Sequence, residues 1–354
     1  MAVTASGVRA RGGFLALSWS NWPLALVTAL IVIALAIWLL PGTAAFWVSL
    51  AAAAVVAFTV VAFAYGRRNN GALLVAPAVA LLVVMNIFPL LWSLGLSFFR
   101  YKANSIQPPA WLGINNFATV LTSADVWDRL RTTGLIMILT VSCQLVVGFL
   151  LALLFEKQFR GRRVLLMLVL TPMMLSYVAV GAFFRYYYEP TFGLLSQFVR
   201  LFTGEPFLLL NTPWGARAGI VFADAWMWSP FVMLLVLAGL VSVPSYLYEA
   251  AEIDRASWWR KFRTITFPYI RGLLLLALLF RTIEAFKLFD VVFLLNEGGP
   301  GTSNETIALF IYRQSFQYNK TSYSTALAYI MLFVVVVLTN LYLYAVNRRA
   351  RETA

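Results

Sequence analysis

Arg281, Glu284, Lys287 and Asp290 recur at steps of three within residues 268–293, a stretch that is otherwise apolar. Residues three apart on a helix are neighbours, so mixed charges at this spacing can pair with one another. An ionisable side chain in hydrocarbon costs at least about 2.5–3.5 kcal/mol unless it faces protein or water. Two chemistries therefore fit: a self-neutralising ladder that holds structure, or the polar lining of a path for a solute. Asp290 and Lys287, nearer the flexible turn that begins at Asn296, are the better placed to meet a solute, and Glu284 with Arg281 to form a packing pair. Two more clusters combine aromatic and hydrogen-bonding groups: Arg185 with Tyr186, Tyr187 and Tyr188, and Asp224 with Trp226 and Trp228. That mixture suits a ligand with apolar C–H faces and hydroxyl edges, as in a sugar. The same residue types also build the aromatic belts at the ends of membrane spans.

A second kind of chemistry is concentrated in residues 248–268, YEAAEIDRASWWRKFRTITFP, a charged island in an apolar chain. Pro244 ends the preceding apolar run, Ser245 can cap a following helix, and Glu249 would then lie in its first turn, where an anion suits the positive helix end. Leu247, Ala250, Ala251 and Asp254 wind around that short helix, whose alanines permit close approach by another protein. Ser257 can cap a second helix carrying Trp258, Phe262 and Ile265 at helical spacing. Two short helices joined at a corner make a rigid lever between a cytosolic partner and the membrane. An amphipathic loop lying on the lipid surface, with tryptophan anchors and Arg260, Lys261 and Arg263 facing phospholipid, fits the charge pattern equally.

The elements that must position these groups are membrane helices. Of 354 residues, 62% are hydrophobic and 12% charged, far from the roughly quarter-charged profile of soluble domains. The fold class is an all-α polytopic membrane protein. Apolar runs of the length that crosses about 30 Å of hydrocarbon occur about eight times, at 22–40, 44–65, 73–98, 132–155, 164–186, 217–242, 268–293 and 325–346. The net charge of +13 sits in short clusters between runs, which argues for membrane topology and against nucleic acid. With eight spans threaded, Arg9, Arg11, Arg67, Arg68, Lys157, Arg160, Arg162, Arg163, Arg260, Lys261, Arg263, Arg348, Arg349 and Arg351 fall on one side. By the positive-inside rule that side is the cytoplasm, with both termini there. The first run is long for a signal peptide and no small-x-small cleavage site follows it, so it is expected to be retained.

The chain has no histidine and a single cysteine, Cys143, which removes the commonest proton shuttle, an intrachain disulfide and a metal centre. It contains no G-x-x-x-x-G-K-[ST] phosphate cradle, so it does not hydrolyse ATP by that route. No catalytic, metal or cofactor site is expected on it.

The island strongly resembles the EAA loop of bacterial ABC importer permeases. Glu249, Ala250, Ala251, Ile253, Asp254, Phe262, Ile265 and Pro268 stand at that family's positions, and Arg255 stands where the family usually has glycine. A left-handed residue there costs arginine roughly 1 kcal/mol, so the corner either carries that cost or bends differently. The stretches TPMMLSYVAVGAFFRYYYEPTFGLL, WMWSPFVMLLVLAGL and FDVVFLLNEGGPGTSNETIALFIYRQSF are similar to the sugar-type branch, and the two extra N-terminal runs to the larger, eight-span subunit of maltose-type importers. The resemblance implies the type I importer permease fold, with residues 1–70 carrying the extra spans and residues 71–354 a six-helix core that includes the coupling loop at 244–268. It implies a bacterial inner-membrane protein in a heterodimer with a second permease, two cytosolic ATPase subunits that bind ATP and Mg²⁺, and an extracytoplasmic solute-binding protein. Two other classes remain open on residues alone. One is an ion-coupled secondary sugar carrier using Glu284 and Asp290; the other is a membrane-embedded glycosyltransferase, against which stands the lack of an acidic or nucleophilic loop cluster.

Overall fold

Apolar runs become helices wherever a cap or a proline allows them to start. The computed structural model describes residues 78–79 and 81–352, which are helical apart from one small ribbon and the connecting turns. They form two units, with the boundary between Asn116 and Phe117. In the first, a π-turn Val83–Ile87 leads into α1, Phe88–Ser97, and β1, Phe99–Arg100, pairs antiparallel with β2, Ala110–Trp111. Asn116, in α2 (Asn115–Thr122), donates to the carbonyls of Ser97 and Phe99 at 2.7 and 2.8 Å.

In the second unit, α3 runs from Ala124 to Glu156, 33 residues, or about 50 Å at 1.5 Å per residue. α4 (Arg162–Leu170) passes through a 3₁₀ turn, Thr171–Met174, and α5 (Tyr177–Tyr187) leaves it at 101°. Pro172 lacks an amide and Leu175 is extended, so the helix stops there; the Ser176 hydroxyl then accepts from the Ala179 amide and starts the next. α6 is Leu194–Thr203. α7, Pro213–Val241, starts on Pro213 with the Thr212 hydroxyl accepting from the Gly215 amide at 3.1 Å. Then come α8 (Ser245–Ile253), α9 (Trp258–Lys261), α10 (Phe267–Phe286), α11 (Asp290–Asn296), α12 (Ile307–Tyr312) and α13 (Thr321–Glu352).

α3 and α7 form the central pair, and Gly148 lets them touch: a Cβ there would lie 2.6 Å from the Cβ of Val232. Ala152, Phe155, Val232, Met233, Val236 and Ile270 bury one apolar cluster where α3, α7 and α10 meet. A second, around Ile136, Phe184, Ile220, Met227 and Val291, joins α5 and α11 to the same pair. Outward positions are apolar too: Val146, Leu150 and Leu154 of α3 and Phe333, Leu341 and Tyr344 of α13 are exposed. An exterior as apolar as the interior is the arrangement a helix bundle in lipid requires.

Among the described residues three helices, α3, α7 and α13, are long and apolar enough to cross a membrane, or four if the bent pair α4–α5 is one span. The expected runs 22–40 and 44–65 and all of residues 1–70 lie outside the described residues. Two expected spans are broken. Run 164–186 bends at the 3₁₀ turn, and run 268–293 divides into α10 and α11 at Lys287–Phe289.

Candidate functional site

The charged island is a corner of two helical arms. α8 starts on Pro244, which occupies the N-cap position without a side-chain cap; Ser245 is already helical and does not cap. Glu249 accordingly lies in the second turn, one turn later than the sequence suggests, where the helix dipole acts weakly on it. The end of α8 is a Schellman motif: the Ala256 amide donates to the Ala251 carbonyl at 2.9 Å and the Arg255 amide to the Glu252 carbonyl at 3.0 Å. The motif needs a left-handed residue just past the cap, and Arg255 supplies it with φ +50°. Of the two outcomes open to arginine, the chain keeps the corner and carries the strain.

The Ser257 hydroxyl accepts from the Arg260 amide and opens α9 as expected. α9 is not a separate helix, however: its backbone continues through a π-turn, Phe262–Thr266, into α10. Phe262 stacks under Trp258, ring centroids 5.7 Å apart and planes 8° from parallel, and meets Phe149 of α3 edge-on at 6.0 Å. Two bonds brace the arms. Lys261 pairs with Glu252 at 3.1 Å, and the Tyr248 and Thr266 hydroxyls share a hydrogen bond of 2.8 Å. Ile253 is 85% exposed, and Glu249, Ala250, Asp254 and Arg255 are exposed beside it.

Deep between the helices lies a charged cluster. Arg281 of α10 is 1% exposed and Asp224 of α7 fully buried. Their ion pair spans 3.3 Å, and Gln144 of α3 bridges them, donating to Asp224 Oδ2 at 2.7 Å and accepting from Arg281 Nε at 2.8 Å. The Arg281 guanidinium also lies 4.4 Å above the Trp228 ring. Asp224 Oδ1 and Trp228 Nε1 are buried without a hydrogen-bond partner. Buried polar atoms are nearly always satisfied, so these two are free to take a hydroxyl or a water.

The four-residue ladder does not exist as expected. Arg281 turns inward with Ala277 and Ala285, three helices meeting around it, so it pairs with Asp224 and not with Glu284. Glu284 instead pairs with Lys287 at 2.9 Å, both half exposed. Asp290 belongs to a different helix, in the first turn of α11, and its carboxylate makes no ion pair among the described residues. The aromatic candidates separate too. Trp226 stacks on Phe183 at 6.2 Å and faces an apolar cavity of 560 Å³, while Trp228 points the other way, beneath Arg281. Tyr186 is exposed and Tyr187 packs against the α5–α11 core. Asn296 closes its turn by donating to the Gly299 carbonyl at 2.7 Å.

Sequence reasoning missed Gln144, whose signal was being an amide in an apolar run. It also missed a hub at residues 303–307, where successive residues reach different helices. Asn304 accepts from Arg217 of α7 at 3.1 Å; Glu305 pairs with Arg129 of α3 at 2.9 Å and with Arg313 at 2.8 Å. Thr306 donates to the Leu288 carbonyl at 2.9 Å, and the Ile307 amide donates to Thr133 at 2.8 Å. The hub fixes the break between α10 and α11 against α3 and α7.

The family described as binding-protein-dependent transport system inner membrane component matches residues 144–352, from Gln144 through α13. The chain belongs to this family. Members are the membrane permease subunits of ABC importers, not their ATPases. A sulfoquinovosyl glycerol transport system permease protein of Agrobacterium fabrum is 31% identical over 284 residues, 80% of this chain and 92% of that one. A trehalose/maltose transport system permease protein of Thermococcus litoralis is 31% identical over 288 residues, 81% and 96% of the two chains. A lactose transport system permease protein of Rhizobium radiobacter is 29% identical, covering 79% and 95%. A solved bacterial ABC transporter involved in the import of alginate shares the fold, with TM-score 0.67, 22% identity and coverage of 78% and 94%.

As a permease of this family, the chain carries arginine at a corner that glycine fits better. Arg255→Gly is expected to stabilise the corner by roughly 1 kcal/mol and to leave partner assembly intact or improved. Co-purification in mild detergent tests this; loss of the ATPase subunit from the glycine variant would show that Arg255 is kept for a partner contact.

Proposed function

We propose that this chain is one permease subunit of a bacterial importer for a carbohydrate, driven by ATP that partner subunits hydrolyse. The single observation that carries the coupling role is the braced corner. Its α8 arm offers Glu249, Ile253 and Asp254 outward, and its other arm runs unbroken into α10. A push on α8 therefore moves α10, and with it Arg281 and the Glu284–Lys287 pair. The carbohydrate assignment is supported by the solutes named for the three permease relatives.

The chain is read as eight spans with both termini in the cytoplasm, in the inner membrane. It acts in a heterodimer with a second permease, on two ATPase subunits that hold ATP and Mg²⁺, fed by an extracytoplasmic solute-binding protein. It holds no cofactor of its own. The solute path is read as passing the α10–α11 break. Asp290, Lys287 and Glu284 offer charged edges there, and Asp224 with Trp228 offers unsatisfied polar atoms deeper in. Trp226, Tyr186, Tyr187 and Asn296 are further candidates for that path. Purification tests the assembly: the chain should emerge with a second permease and an ATPase, and emerging alone while still competent for uptake would contradict it.

Asp290→Ala tests the path. A half-buried carboxylate there can accept sugar hydroxyl hydrogen bonds, and losing such a partner costs about 1–3 kcal/mol. Uptake is expected to fall about tenfold, with the complex assembled and basal ATP hydrolysis intact. Normal uptake, or failure to assemble, would place Asp290 among the structural residues.

A further inference from the structure

Apart from Arg255, just past the α8 cap, charges on the corner are segregated by arm. The acids Glu249, Glu252 and Asp254 belong to α8 and its cap, whereas Arg260, Arg263 and Arg271 belong to the continuous arm α9–π-turn–α10. Lys261 is neutralised by Glu252. Arg260, Arg263 and Arg271 are exposed and make no ion pair among the described residues.

Arg263, Phe267 and Arg271 follow one another at four-residue steps, so they form a single exposed stripe along that arm. Trp259 and Phe267, both exposed, interleave with the arginines, whereas Tyr269, two residues from Arg271, points to another face of the helix. Beside Arg271, Gly272 leaves open space, with no atom within 4 Å of where a Cβ would stand. The stripe extends from Arg263 to Arg271 over about 12 Å. A cytosolic subunit seated on α8 meets the corner, but Arg271 lies a turn inside the apolar helix, at the depth of lipid headgroups and upper acyl chains. An arginine at that depth is tolerable when its guanidinium reaches a phosphate, which its planar fork matches with two hydrogen bonds.

We propose that Arg263 and Arg271, flanked by Arg260, Trp259 and Phe267, form a binding site for the headgroup of an anionic phospholipid of the cytosolic leaflet. The proposal rests on the orientation given above, with the corner in the cytoplasm. Charge complementarity and depth select the ligand: two unpaired guanidinium groups, aromatic rings of the kind that sit at membrane interfaces, and a gap next to the deeper arginine. A lipid held there would brace the outside of the arm that transmits motion to the spans.

Native mass spectrometry of the detergent-purified, assembled importer tests this, with phosphatidylglycerol, phosphatidylcholine or inorganic phosphate added at equal concentration. The wild-type complex is expected to retain phosphatidylglycerol over phosphatidylcholine by roughly tenfold or more, and not to be saturated by phosphate alone. Arg263→Gln with Arg271→Gln should bring retention down to the phosphatidylcholine level, whereas Arg160→Gln, a cation on the α3–α4 connection, should leave it unchanged. Equal retention by the double variant would overturn the proposal, as would release of the second permease or the ATPase by that variant, which would mark the stripe as a subunit contact. If the wild-type chain emerges without an ATPase, the importer reading itself fails, and lipid retention is still read on the mass of the chain.

Discussion

Asp224→Ala is expected to remove most of the folded chain from the membrane. The substitution leaves the Arg281 guanidinium buried between three helices with no carboxylate partner, bonded to Gln144 and lying over the Trp228 ring. Removing one member of a buried ion pair costs about 3–5 kcal/mol because the other charge stays uncompensated, a large fraction of the roughly 5–15 kcal/mol that holds a typical domain together. Replacing both members with apolar residues of similar size, Asp224→Leu with Arg281→Met, is expected to restore assembly, since neither charge is then stranded. The yield and thermal unfolding of the purified complex measure both variants. If the double variant assembles and still carries solute at the wild-type rate, the cluster is a structural clamp. If it assembles and uptake is lost, the free Asp224 Oδ1 and Trp228 Nε1 serve the solute. A stable single variant would show that the cluster does not hold the helices.

Glu249→Lys is the second change with a large expected effect, and it acts on coupling, not on folding. Glu249 is exposed in the second turn of α8 and makes no ion pair among the described residues, so reversing its charge leaves the corner's own bonds in place. In the proposed coupling route its partner is a cation on the ATPase surface that receives α8. Truncating one member of a hydrogen-bonded charge pair across an interface costs about 2–5 kcal/mol, and reversing it costs at least as much, so solute-stimulated ATP hydrolysis and uptake should fall well over tenfold. Membrane insertion should be unchanged. Normal hydrolysis and uptake in the Glu249→Lys complex would remove the α8 face from the coupling route.

The corner was legible in the sequence because its determinants are local. Ser257, the Trp258–Phe262 spacing and the residue at position 255 each act within a few positions of themselves, and each does in the structure what its type allows. Ser245 failed as a cap because Pro244 takes that position, which moved Glu249 one turn along. The inner cluster was only half legible. Asp224 and Trp228 drew attention as polar groups in an apolar run, but their partners lie far away in sequence, Gln144 by 80 positions and Arg281 by 57. The steps of three along 281–290 described possible pairs on an isolated helix; the helix instead turns Arg281 toward α3 and α7 and ends at Phe286. Nothing local announces that end, since Lys287–Phe289 contains neither glycine nor proline. The break is held from outside, by Thr306 on the Leu288 carbonyl, a contact no periodicity can reveal.

In the proposed mechanism energy enters this chain through the corner, from ATP hydrolysed by a partner. The most direct test is solute uptake into proteoliposomes holding the assembled importer, with the binding protein outside and ATP enclosed, compared with the lone chain under an imposed proton or sodium gradient. Uptake should require both enclosed ATP and the binding protein, and should not occur with the lone chain under either gradient. Gradient-driven uptake by the lone chain, without ATP, would contradict the account and make Glu284 and Asp290 the sites of an ion-coupled carrier.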